Sequence, residues 1–209
     1  MEGLRQTKKA ATRQQIADAA MRLFVSRGFD HVTVAQVAAE AGVSEKTVFN
    51  YFPTKEDLFF DEVPQRQAAL VAAIRDRTPG DSIVEALRRL QVADCPRLCS
   101  AAFATFARII EDSPALRAKE LEVMAVLTET LAGAIQEELH VPEIDAHIAA
   151  NMLVGVHWQL FRNARTQALA GRHGPGAVRR LCSDLERAYR LLEHGLGSLE
   201  GLAEERAAS

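Results

Sequence analysis

Apolar residues recur along this chain at helical spacing, and the alternation of a strand is missing. Ile16, Ala20, Leu23 and Phe24 fall at i, i+4, i+7 and i+8. They form one face of a first helix predicted to begin near Thr7 or Thr12 and to run to Ser26. Gly28 stops it, because glycine takes the left-handed backbone that helix ends favour. Thr33 with Gln36 is a capping-box pattern, and the helix it starts carries Val34, Val37, Ala38 and Ala41. Gly42-Val43 turns the chain, Ser44 caps a third helix reaching Tyr51 or Phe52, and Pro53 closes it. Thr54 caps a fourth helix, with Glu56 and Asp57 at the positive end of its dipole. Pro64 falls inside that helix and should kink or split it.

Further helices are predicted over 82–94, 96–112, 114–139, 143–170 and 176–199, most of them opened by a proline. The segment from Ile144 to Leu169 is apolar on two faces: Ile148, Met152 and Val156 on one, Val154, Trp158 and Phe161 on the other. A helix of that kind is normally covered from two sides. Residues 203–209 are expected to fray. The fold class is therefore all-α, with about nine helices. A small domain over 1–54 is joined by a linking helix over 55–77 to a larger helical domain over 55–209.

Charge changes this picture at one end only. The net charge of −3 excludes a basic nucleic-acid coat. Yet Arg5, Lys8, Lys9 and Arg13 meet no acid between Gly3 and Ala17, which suits a nucleic-acid contact confined to the amino-terminal end or a solvated tail. The apolar runs fall short of the roughly 18 residues of a membrane span, and no apolar stretch follows the early positive charge as in a secretory signal. Three cysteines without framework spacing fit a reducing cytoplasm, and Cys95, Cys99 and Cys182 are read as small buried apolar residues.

Short helix, glycine turn, short helix is the helix-turn-helix pattern. Ala38 is small where the helices cross, and Val37, Val43 and Val48 supply the core that fixes their angle. The third helix then offers Glu45, Lys46, Thr47, Phe49 and Asn50 outward. Lysine can contact phosphate or guanine, asparagine can pair with adenine, and threonine or phenylalanine can pack on a thymine methyl group. Thr33, Tyr51 and Lys55 stand at helix ends where phosphates are met, and Ser44 caps the reading helix.

The string Thr33-Val-Ala-Gln-Val-Ala-Ala-Glu-Ala-Gly-Val-Ser-Glu-Lys-Thr-Val-Phe-Asn-Tyr-Phe-Pro-Thr-Lys-Glu-Asp-Leu58 resembles the amino-terminal signature of the TetR family of transcriptional regulators. Ala19-Ala-Met-Arg-Leu-Phe24 and Gly28-Phe29 also resemble that family's first helix and its exit. Ser113-Pro-Ala-Leu-Arg-Ala118 is similar to a segment of some of its members. The close resemblance covers about residues 12–60. It implies a homodimer, usually a repressor, on a palindromic double-stranded operator, released by a small effector held in the larger domain; the last two long helices are expected to form the dimer, and a mostly apolar cavity would favour a hydrophobic effector. It also implies a cytoplasmic regulator with no cofactor and no catalysis. Carried over by position, Thr33, Lys46, Thr47, Phe49, Asn50, Tyr51 and Lys55 are the DNA-contacting set.

Phe103, Phe106, Met124, Met152, His157, Trp158 and Phe161 are candidates for the effector pocket, although such spacing also suits plain core. His147 and His157 lie ten residues apart on one helix, so they point to different sides and cannot jointly hold a metal. A hydrogen-bonded structural role is expected for either. No phosphate loop, HExxH or GxSxG motif is present. Three other readings stay open: an all-helical enzyme, for which no titratable residues converge in the sequence, a helical protein–protein adaptor with a vestigial helix-turn-helix, and an activator of the same family.

Overall fold

The computed structural model describes the backbone of residues 2–194 and the side chains of residues 7–193. The described residues are all-helical. In chain order the helices are α1 (Glu2–Arg27), α2 (Val34–Glu40), α3 (Glu45–Tyr51), α4 (Lys55–Phe59) and α5 (Val63–Arg75). There follow α6 (Ile83–Leu98), α7 (Ala101–Asp112), α8 (Pro114–Leu139), α9 (Glu143–Leu169) and α10 (Pro175–His194). The extension of the last helix to 199 and the fraying of 203–209 lie outside the described residues.

Caps decide most boundaries. Thr33 and Gln36 close a reciprocal box at the start of α2, at 3.2 and 3.0 Å. Ser44 Oγ accepts from the Thr47 backbone N–H at 3.1 Å, and Thr54 and Asp57 close a second box on α4. Three boundaries differ from the pattern, each for a physical reason. α1 begins before Thr7, because Thr12 does not cap it: its hydroxyl bonds back to the Lys8 carbonyl inside the helix, at 3.0 Å. Pro64 splits the predicted fourth helix, and α5 then places that proline in its first turn, where a missing donor costs little. Pro96 opens no helix: it lies near the end of α6, and the break falls at Cys99 and Ser100, whose hydroxyl accepts from the Phe103 N–H at 3.1 Å.

The chain forms two compact units. The first comprises residues 1–64 and 105–121. Its core is Ile16, Ala19, Ala20 and Phe24 of α1 with Val37, Ala38, Val48, Phe52, Leu58 and Phe59. Phe59 stacks on Phe106 with centroids 4.5 Å apart, and Phe24 and Phe29 complete an aromatic cluster. Ile110 and Leu116 are fully buried in the same core. Ser113 Oγ donates to Asp30 Oδ1 at 2.7 Å, and Lys119 pairs with Asp57 at 3.2 Å. Burial works against the Asp57 carboxylate, but hydrogen bonds from Thr54 and Lys119 outweigh it and hold its pKa low. Periodicity alone gave no sign that residues 105–121 group with the amino-terminal helices.

The second unit comprises residues 65–104 and 122–209. α10 packs along α6 and α9. Its face of Ala177, Leu181, Leu185 and Tyr189 is buried, while Arg179, Arg180, Arg187 and Arg190 are exposed. Arg88 joins Glu85 on its own helix to Glu186 of α10. Cys95 and Cys99 are buried as expected, whereas Cys182 is half-exposed and meets Cys95 across the α6–α10 seam. Burial, reinforced by Cys182, pushes the Cys95 thiol up to about 12.

The Tyr189 hydroxyl has no hydrogen-bond partner among the described residues, and burial raises its pKa. An unpaired buried hydroxyl contributes nothing to hold the fold. Tyr189→Phe should leave the unfolding free energy unchanged or raise it by up to about 1 kcal/mol. Urea denaturation measures this; a loss of that size would mean the hydroxyl is paired.

Candidate functional site

α3 is only two turns long, and Val48 is its one fully buried side chain. Burial of Val48 against α1 and α2 turns Lys46, Phe49 and Asn50 to solvent. Phe49 is 48% exposed, a large apolar surface left in water. Thr47 and Tyr51 are half-buried; the Thr47 hydroxyl lies 2.8 Å from that of Ser44. Thr33 and Ser44 are exposed, each occupied as a cap. The turn between α2 and α3 needs glycine: Gly42 has φ +63°, a conformation costly for any residue with a Cβ. Gln15 of α1 donates to the Ala41 carbonyl at 2.8 Å, tying this turn to the first helix.

Two cations near this edge are engaged by the protein itself in the DNA-free structure. Lys55 Nζ donates to the carbonyls of Phe29 and Val32, at 3.1 and 3.2 Å, and sits 4.1 Å from the Phe29 ring centroid. It closes the connection between α1 and α2, and two of its three donors are used there. Arg13 lies 4.7 Å over the Phe52 ring and donates to the Asp61 carbonyl at 2.9 Å. Lys8 and Lys9 remain exposed, and the Arg5 side chain lies outside the described residues. The exposed edge of α3 is thus Lys46, Phe49 and Asn50, flanked by Ser44, Thr47 and Tyr51.

The candidate effector residues do not form one group. Phe106 belongs to the aromatic core of the first unit. Met152 is 45% exposed. In the second unit, Phe103 meets Phe161 edge to face at 5.3 Å, and Trp158 lies parallel to Phe161 at 6.3 Å. Met124 on α8 and His157 on α9 are half-buried. Beside His157 is an ionic cluster that sequence reasoning missed. Arg97 grips both oxygens of Asp94, at 2.6 and 2.5 Å, and Arg66 reaches the same carboxylate at 3.5 Å. Burial opposes the Asp94 charge, but Arg97 and Arg66 overcome it and keep the pKa low. Arg66 and Asp94 lie in different helices, and no sequence spacing relates them. His147 is structural: its ring bonds the Glu143 carbonyl and Glu129, which raise its pKa.

A model described as bacterial regulatory proteins of the tetR family matches residues 16–61, the stretch that holds α2, α3 and α4. The chain belongs to the TetR family. This TetR-family chain is 30% identical over 141 residues to the HTH-type transcriptional regulator TcmR of Streptomyces glaucescens, a match covering 64% of the chain and 62% of that regulator. The chain therefore spans a little under two thirds of that relative's length. Its fold is similar to that of NalD of Pseudomonas aeruginosa, with a TM-score of 0.58 and 21% identity over 87% of the chain and 96% of NalD. It is also similar to Thermus thermophilus FadR, a TetR-family transcriptional repressor in complex with lauroyl-CoA. There the TM-score is 0.56 and the identity 26%, over 88% of the chain and 94% of FadR. Among the described residues no helix is long and apolar enough to cross a membrane.

Two outcomes follow from the geometry. Lys55→Met removes two charge-assisted hydrogen bonds and should lower the unfolding free energy of the DNA-free protein by about 1–3 kcal/mol in urea titration. His157 titrates abnormally: burial pushes its pKa below the usual imidazole value, aided by Arg97 and Arg66 and opposed by Asp94. The unfolded chain then takes up this proton more readily than the native one, so stability falls as pH drops through about 6.5. Thermal melts from pH 7.5 to 5 should show this fall, and His157→Gln should make it shallower.

Proposed function

We propose that this chain is a homodimeric transcriptional repressor that holds a palindromic operator and releases it when a small, largely apolar effector occupies the helical unit. The observation that carries the reading is the exposed edge of α3. An exposed phenylalanine flanked by lysine and asparagine suits a major groove, where a thymine methyl, a guanine or phosphate, and an adenine provide matching partners. Ser44, Thr47, Tyr51 and Thr33 lie where backbone phosphates fix register without reading sequence.

One head makes a small interface. Two heads about one helical turn apart, roughly 34–36 Å, read a palindrome. The dimer reading is supported by α9, where Ile144, Ile148 and Met152 are 66%, 53% and 45% exposed and recur every fourth residue. The sequence pattern calls for a cover on this face, and a second copy supplies it through the last two helices. The effector reading is supported by the half-buried Trp158 and Phe161 of the second unit. It also draws on the ligand of FadR, lauroyl-CoA. Effector binding acts by preferring a conformation with misplaced heads; moving the balance from about 1:99 to 99:1 takes roughly 5.5 kcal/mol of differential affinity.

Footprinting on the native operator tests the edge. Lys46→Ala and Asn50→Ala should each cost about 1–3 kcal/mol at particular base pairs, while Tyr51→Ala weakens all sequences alike. Unchanged affinity in all three variants would remove α3 as the reading helix. Ile148→Asp should yield monomers in sedimentation and lose the footprint; a dimer that survives the change would move the interface elsewhere.

A further inference from the structure

Cys95, Cys99 and Cys182 gather at the seam between α6 and α10, and all three are free thiols. Two contacts fix how these helices lie along each other. The Gly174 N–H donates to the Cys99 carbonyl at 2.9 Å, which ties the start of α10 to the end of α6. Further along the seam, Arg88 of α6 pairs with Glu186 of α10. The helices therefore run antiparallel between these two points. Cys95, between Arg88 and Cys99, lies opposite Cys182, between Gly174 and Glu186. The two thiols stand within hydrogen-bonding reach of each other.

The two sulfurs differ in what can approach them. Cys182 is half-exposed, whereas Cys95 is buried and its S–H donates to the Gln91 carbonyl at 3.5 Å. That bond occupies the Cys95 proton and leaves the sulfur lone pairs for Cys182. Burial keeps Cys95 protonated, so an oxidant in solution meets Cys182 first. Cys99 is a poorer match for either. It follows Cys95 by one helical turn, where Cβ atoms stand about 5–6 Å apart. A disulfide requires about 3.5–4.5 Å between them, so joining Cys95 to Cys99 would unwind α6. Cys182 acts on Cys99 through charge alone, without a hydrogen bond.

We propose that Cys182 and Cys95 form a modification site for hydroperoxides, which convert the pair to a disulfide stapling α6 to α10. Cys182 takes the oxidant and Cys95 resolves the product. In the first step the Cys182 sulfur, as thiolate, attacks one peroxide oxygen and the O–O bond breaks. Water or an alcohol leaves with the thiol's proton, and Cys182 becomes a sulfenic acid. In the second step the Cys95 sulfur attacks the Cys182 sulfur and the S–O bond breaks. The departing hydroxide takes the Cys95 proton and leaves as water. The two thiols lose two electrons in all, and the peroxide gains them. The site is independent of the repressor reading and gives the second unit a covalently closed state.

The test uses the full chain, reduced, then exposed to hydrogen peroxide, with remaining thiols alkylated in urea. Intact mass and tryptic peptides are then read. Arg97 separates Cys95 from Cys99 on digestion, so each linkage is distinguishable. The product should carry one disulfide within the chain, from Cys95 to Cys182, and the alkyl label on Cys99 alone. Dithiothreitol should restore all three thiols. Cys99→Ser should react at the rate of the unaltered chain, whereas Cys182→Ser should slow the loss of thiol by about tenfold or more. Cys95→Ala should stop at the Cys182 sulfenic acid, which dimedone captures. Circular dichroism checks that each variant keeps its helices; should one lose them, the peptide map of the unaltered chain decides. Four results would overturn the assignment. They are a main link through Cys99, a main link between chains, the same mixture of links in urea as in the folded chain, or thiols that survive peroxide sufficient to oxidise free glutathione.

Discussion

Two turns of helix leave α3 little material with which to fix its own orientation. Val48 is the only side chain it buries completely, and everything the helix offers to solvent is decided by where that one valine goes. The site receiving it is made by small and branched residues: Ala38 allows close approach, Val37 fills the angle, and Ile16 and Ala20 line α1 behind them. Full burial of one such side chain is worth about 1.5–3 kcal/mol, a large part of what a helix this short can gain. The Gly42 turn and the bond from Gln15 to Ala41 reinforce the same geometry from the backbone.

The amino-terminal unit recruits help from further along the chain. Phe106, Ile110 and Leu116 enter its core, and Ser113 and Lys119 bond to residues that precede α2 or begin α4. The Ser113-to-Ala118 segment thereby has a physical explanation: a hydroxyl that reaches Asp30 while capping the Leu116 N–H, and a leucine three residues on that is wholly enclosed. Asp57 links the two stretches, since it both closes the Thr54 box and receives Lys119.

Elements bounded by local chemistry were legible in the sequence. The Thr33 and Thr54 boxes, the Ser44 cap and the break caused by Pro64 all depend on residues within a few positions of one another. The outward placement of Lys46, Phe49 and Asn50 followed from period and from a buried Val48. Contacts at long range were not legible. Phe103 and Phe106 are three residues apart and equally apolar, yet they serve different units, because periodicity marks a position as buried without naming what buries it. The place of Lys55 at a helix start was legible, but the two carbonyls that its ammonium meets were not. The Arg66–Asp94–Arg97 cluster escaped for the same reason, since it joins two helices.

The inward use of Lys55 and Arg13 bears on how a DNA complex of this head would respond to its ionic surroundings. Each phosphate neutralised by a protein cation expels condensed counterions from the duplex, and the logarithm of affinity falls with the logarithm of salt by about 0.9 for each such contact. A tally of lysines and arginines near the reading helix would include both residues and forecast a steep decline. With one ammonium held by carbonyls and one guanidinium laid over Phe52 beside Asp61, a complex of the proposed kind that kept these contacts would show a gentler decline and rest relatively more on shape and base edges.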